Sequence, residues 1–160
     1  TANTSLYFEA EFVLGTNVAA DANTVIWAGF TSAALAGDPT AAGIDTIAFR
    51  WFGTTDTFWH TYVRGNGAGA TATPTASSPV AGAVPGQVLR IEMYGSATEL
   101  GAATIRFFID GAVVNTHTTT LPVGGMAMFF TIGSITNNST HTLYVGSVNA
   151  SWNPRPITAR

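Results

Sequence analysis

The chain has no cysteine and no lysine, and only 9% of its 160 residues are charged. An average soluble protein carries roughly 25%. Without cysteine there are no disulfides, thiolate metal sites or cysteine nucleophiles. Without lysine there is no Schiff-base chemistry and no P-loop lysine to grip a phosphate. All six basic residues are arginines, and nine acidic residues leave a formal charge of −3. Nucleic-acid binding needs a basic face to neutralise phosphates, so no nucleic-acid partner is expected. No apolar run approaches the roughly 18 residues that span a bilayer, so no membrane partner is expected either. Coiled coils and helical bundles are disfavoured too, because their wet faces need Glu, Lys and Arg. The opening Thr1-Ala2-Asn3-Thr4, without methionine, is what a processed or excised chain would show.

What the chain does have is apolar residues, at 46%, enough for one sizeable core. They fall in short runs with a period of two. From Leu6 to Leu14, Phe8, Ala10 and Phe12 alternate with Glu9 and Glu11, the pattern of a half-buried antiparallel strand. Thr24 to Ser32 places Ile26, Ala28 and Phe30 against Val25, Trp27 and Gly29. Strands are expected again at Thr46 to Phe52 and at Phe58 to Arg64. Ala68 to Pro85 reads as a long surface connection of Ala, Thr, Ser, Gly and Pro, with one short strand near Ala70 to Thr73. Val88 to Tyr94 sets Leu89, Ile91 and Met93 against Arg90, Glu92 and Tyr94. Asp110-Gly111, between two β-runs, predicts a type I′ hairpin. Met126 to Ile132 and Thr142 to Trp152 complete about ten strands, the number of a sandwich or barrel. The expected organisation is one domain over residues 1–152 with a tail at 153–160.

The chemistry-bearing residues are scattered. Glu9 and Glu11 share one strand face at roughly 6–7 Å, from about 3.3 Å per residue. Paired carboxylates serve glycoside hydrolysis, but a solvated face of an outer strand explains them more simply. Asp21, Asp38, Asp45 and Asp56 match no calcium-loop spacing and read as turn residues. His60, His117 and His141 lie in no metal-ligand spacing, and no Gly-x-Ser-x-Gly elbow is present. No catalytic residue, metal site or cofactor is expected. Phe58 to Arg64 loads both strand faces with bulky side chains, so one face must meet a second layer, a ligand or a partner. Trp59, Tyr62 and Arg64 are the ligand-binding candidates there, the aromatics as stacking platforms for sugar rings. Low charge with positive mean hydropathy suits a subunit whose faces are covered by neighbours.

Several segments, in order, carry a resemblance. They are Leu6-Tyr-Phe-Glu-Ala-Glu-Phe12, Trp27-Ala-Gly-Phe30, Phe58-Trp59-His60, Val88-Leu-Arg-Ile-Glu92, Arg106-Phe-Phe-Ile-Asp-Gly111 with Val113-Val114, and Thr142-Leu-Tyr-Val145. Together they resemble the concanavalin A-like (laminin G-like) jelly-roll domains, particularly those found as virion proteins of tailed bacteriophages. The resemblance implies an all-β jelly-roll sandwich of two antiparallel sheets. Glucanases of this fold carry Glu-x-Asp-x-Glu or Glu-x-Asp-x-x-Glu, which Glu9-Ala10-Glu11 does not complete. Alginate-lyase-like relatives pair an Arg-x-Glu strand with a Gln-x-His strand. Arg90-Ile91-Glu92 fits the first, but Gln87 lacks the histidine of the second. No enzymatic activity is therefore expected. The implied role is a structural virion protein of the capsid-decoration type on the particle surface. It would be homo-oligomeric, a trimer in the favoured case, and would contact the major capsid or other virion proteins. The alternative is a carbohydrate- or receptor-binding module of a phage tail or extracellular protein, reading cell-surface glycans.

Overall fold

The computed structural model describes residues 3–14, 24–33, 40–53, 56, 58–65, 75–81, 87–96, 104–118, 121–122, 126–134 and 143–154. Ten strands make two antiparallel five-stranded sheets. They are β1 (Asn3–Leu14), β2 (Thr24–Thr31), β3 (Thr46–Phe52), β4 (Phe58–Arg64) and β5 (Thr75–Ala81), followed by β6 (Gln87–Ser96), β7 (Thr104–Ile109), β8 (Ala112–His117), β9 (Ala127–Ser134) and β10 (Leu143–Pro154). Sheet A runs β10-β1-β6-β7-β8, and sheet B runs β5-β4-β3-β2-β9. Five of the nine consecutive strand pairs are neighbours in a sheet, and at the other four the chain crosses to the other sheet.

The period-two pattern decides which side chains meet. Ile26, Ala28, Phe30, Ile47, Phe49, Trp51, Trp59 and Val63 of sheet B turn inward onto Leu89, Ile91, Met93, Ile105, Phe107 and Ile109 of sheet A. Phe49 and Phe107 join the layers edge to face, with ring centroids 5.1 Å apart. Such aromatic pairs add about 0.5–1.5 kcal/mol beyond the area they bury. A polar tie also crosses between the sheets. Thr61 Oγ1 accepts from Asn115 Nδ2 at 2.7 Å and lies 2.9 Å from His117 Nε2. Burial pushes the His117 pKa below its ordinary 6.5, so the ring is neutral at pH 7, and its tautomer sets which of the two atoms donates.

Two glycines carry backbone geometry no other residue would hold easily. Asp110 and Gly111 have φ of 50° and 82°, the paired positive values of the predicted type I′ turn. At Gly29 a Cβ would stand 2.2 Å from the Ile47 carbonyl oxygen, so glycine is what lets β3 approach β2 there.

Three sequence expectations change. The stretch read as a surface connection contains β5, an edge strand beside β4, whose pairing is irregular between Phe58 and His60. Its Ala/Ser/Thr content hid the strand, and its Pro79 is tolerated because an edge position needs no N–H on one side. The short strand expected at 70–73 lies outside the described residues. β10 runs to Pro154, pairing Asn153 with Ser5 and Pro154 with Thr4, and so passes the boundary set at residue 152. β1, expected as an outer strand, lies between β10 and β6.

Candidate functional site

β4 divides its side chains between two environments. Trp59, Thr61 and Val63 face the other sheet, while Phe58, His60, Tyr62 and Arg64 face away from it, as strand alternation requires. Trp59 and Tyr62 are three residues apart and therefore lie on opposite faces. Trp59 is 0% exposed, and its Nε1 donates to Gln87 Oε1 at 2.9 Å. It has no free ring face for a sugar, and the Gln87 carbonyl is engaged in the core rather than in a cleft.

Tyr62 belongs to a second apolar cluster on the outer side of sheet B with Trp27, Ala48 and Phe129, against which Val25 and Phe52 pack. Trp27 meets Tyr62 edge to face at 5.4 Å and Phe52 at 6.1 Å. Arg64, the next outward position on β4, is partly exposed and donates through Nη1 to the Thr40 carbonyl.

Beside this floor lies a charged cluster that sequence reasoning did not assemble. β3 and β4 form a hairpin in which Arg50 stands opposite His60, and Asp56 lies in the connection. Two backbone contacts fix Asp56. Its N–H donates to the Phe52 carbonyl at 2.8 Å, and its carbonyl accepts from Trp51 Nε1 at 2.9 Å. Its carboxylate accepts from the Phe52 N–H through Oδ2 at 2.9 Å and from Arg50 Nη2 through both oxygens at 3.3 Å. His60 Nε2 lies 3.3 Å from Oδ1. Arg50 also covers the Phe52 ring, its guanidinium carbon 4.4 Å from the centroid, a cation–π arrangement. The Asp56 side chain is 4% exposed, against 16% for Arg50 and 22% for His60. Burial lowers the His60 pKa, Asp56 raises it and Arg50 lowers it, for a net fall below 6.5. His60 is thus neutral at pH 7.

The signal for this cluster was in the hairpin. Arg50 and His60 become partners once the β3–β4 register is drawn, and Asp56 then falls in the turn between them. Read singly, Asp56 was a turn residue and His60 an isolated histidine.

The outer face of sheet A is different. On β6, Arg90 reaches Glu92 at 3.3 Å from Nε and lies 3.9 Å over the Phe108 ring of β7. Glu92 stands opposite the exposed Arg106. In the β1 ladder, Glu9 is opposite Arg90 and Glu11 opposite Val88. Asp45 is 1% exposed, with its N–H donating to Ser32 Oγ. Asp21, Asp38 and His141 lie outside the described residues. Among the described residues no group of three or more His, Asp or Glu is placed to hold a metal ion.

No protein-family model matches this sequence, and no curated protein matches it. Solved structures do match the fold. One is a double mutant of the alginate lyase Aly36B in complex with an alginate trisaccharide. It has a TM-score of 0.61 at 15% identity, over 95% of this chain and 71% of that one. Another, of Aly36B, has a TM-score of 0.55 at 13% identity, over 93% and 69%. The chain is an all-β jelly-roll-type sandwich of two antiparallel sheets. The likeness corrects the expectation of no enzymatic activity, which rested on incomplete motifs, since the lyase Aly36B shares this fold over nearly the whole of this chain. At this identity what is shared is the fold. It carries no link to a phage particle.

Proposed function

We propose that the chain is a polysaccharide-engaging module whose ligand is an acidic glycan of the uronate class, held on the outer face of sheet B. The observation that carries this reading is the Arg50–Asp56–His60 cluster beside Tyr62 and Arg64. Two arginines rim an aromatic floor, and the face's one described carboxylate is buried and already engaged by Arg50. Arginine matches a carboxylate with a planar fork of N–H donors, and the buried rings beneath hold the rim in place rather than stack on a sugar. The outer face of sheet A suits an anion less well, because Arg90 has Glu92 at 3.3 Å on its own strand and Glu9 opposite it in the β1 ladder. The alginate trisaccharide held by the lyase of similar fold supports the ligand class.

Titration calorimetry with alginate oligosaccharides, against neutral gluco-oligosaccharides of equal length, tests the proposal. Alginate is expected to bind and the neutral glycan not to. Arg64→Ala is expected to weaken binding roughly tenfold, since a hydrogen bond to a charged group contributes about 1.5–3 kcal/mol. Equal affinity for both glycans, or none for either, overturns it. Ultraviolet absorbance of unsaturated uronate ends in the same mixtures separates cleavage from recognition.

A further inference from the structure

We propose that Asp56 is a positioning residue that fixes His60 as the Nε2–H tautomer, so that Nδ1 is a lone pair and the basic atom of the site. Which atoms can donate decides the tautomer. An ionised carboxylate only accepts hydrogen bonds. Asp56 Oδ1 lies 3.3 Å from His60 Nε2, and the same carboxylate is shared with Arg50 and the Phe52 N–H. Such an oxygen faces a ring nitrogen favourably only when that nitrogen carries the proton. A neutral imidazole has one N–H, so placing it on Nε2 leaves Nδ1 bare. Nδ1 is buried and has no hydrogen-bond partner, which matches an acceptor held in reserve; a buried polar atom is otherwise normally paired.

The surroundings hold this state. Asp56 is anchored at its own N–H, at its carbonyl and at both carboxylate oxygens, so it cannot swing away from His60 without breaking contacts to Phe52, Trp51 and Arg50. The charged groups acting on His60 are Asp56 and Arg50. Protonating Nδ1 would put a second cation beside Arg50 and bury an N–H without an acceptor. An O–H donor of the ligand, a sugar hydroxyl in the proposed reading, is the chemistry Nδ1 would accept once the side chains that bury it move aside. Only this last step rests on the proposed function; the tautomer belongs to the free protein.

Nitrogen NMR of the imidazole rings in histidine-labelled protein at pH 7.5 (a choice of ~1 unit above the ordinary histidine value) tests the assignment, with His60→Gln identifying the His60 signals. The expected result is a protonated Nε2 and an unprotonated Nδ1. Asp56→Asn sharpens it. The asparagine oxygen can keep the Phe52 N–H, which leaves its amide N–H₂ where Oδ1 was, so His60 must accept through Nε2 and move its proton to Nδ1. The swap, together with a further fall in the His60 pKa from losing the Asp56 charge, is a signature that mere loss of packing would not give. A His60 with Nδ1–H in the unmodified protein, or one whose tautomer is unchanged in Asp56→Asn, overturns the proposal. If the tautomer is as stated but alginate does not bind, the positioning role stands and the glycan reading falls.

Discussion

Both outward faces of the sandwich set an arginine over a phenylalanine ring, but sheet B also packs a cluster of aromatic rings together. On sheet A, Phe108 is capped by Arg90, and the surroundings are Glu92 and the exposed Arg106. On sheet B, Trp27 and Tyr62 face away from the other sheet yet are only 5% and 6% exposed, packed edge to face with Ala48 and Phe129 around them. One face is a charged surface laid over the sandwich core. The other is a second, smaller core with charges only at its rim. Outward orientation on a strand therefore does not make a residue part of a wet surface, and a rim of side chains is more rigid when it stands on such a floor.

The largest expected difference between the faces is in stability. Trp27→Ala empties a buried position and is expected to cost about 3–5 kcal/mol in urea unfolding. Arg106→Ala, at an exposed position, is expected to change stability by no more than about 0.5 kcal/mol. Similar costs for both would remove the distinction between a second core and a surface.

That distinction was only half legible in the sequence. Alternation gave the inward set on β2, β3 and β6 and placed Trp27 opposite to Ile26 and Ala28, because a period of two is imposed by the pleat. Asp110-Gly111 announced its hairpin for a reason equally local, the positive φ both residues must adopt. Whether an outward aromatic is covered depends on neighbours from distant strands, and Phe129 reaches Trp27 only through the β2–β9 pairing. The same holds for the site. Arg50, Asp56 and His60 are near in sequence, but their convergence needed the β3–β4 register, and Trp59 looked like a platform until the opposite-face rule was applied to its distance from Tyr62.

The next difference is in ligand binding. Arg64→Ala should lower alginate affinity roughly tenfold, about 1.4 kcal/mol, whereas Arg90→Ala should leave it unchanged. A loss confined to Arg90→Ala would move the site to sheet A, where the Arg90-Ile91-Glu92 strand lies.

Acidification probes both histidines. The folded pKa values of His60 and His117 lie below the unfolded value of 6.5. Below 6.5 the unfolded chain therefore binds more protons, and folding stability falls as pH drops from 6.5 through the folded values. Above 6.5 neither group contributes a slope. His117→Gln retains a hydrogen-bonding group near Thr61 and should flatten part of this loss, as read by urea midpoints at a series of pH values. An unchanged slope would mean that the tie between the sheets does not carry the dependence.

The smallest expected effects lie at the margins of both faces, and they bear on assembly. The described exposed large hydrophobics are Val113, Met128 and Val148, on β8, β9 and β10, each of which ends its sheet. None of the four terminal strands, β5, β8, β9 and β10, contains Asp, Glu, Lys or Arg, whereas β1, β3, β4, β6 and β7 all do. Edge strands of solitary proteins usually carry charge to discourage pairing with another chain. Self-association along an edge is the outcome this distribution favours, and native mass measured across a dilution series is its test. Met128→Lys and Val113→Lys should each change the stability of the isolated chain by no more than about 0.5 kcal/mol. The one that lies on the joined edge should convert the oligomer to monomer. A monomeric unmodified chain at the highest concentration would show that uncharged edges are kept apart here without charge.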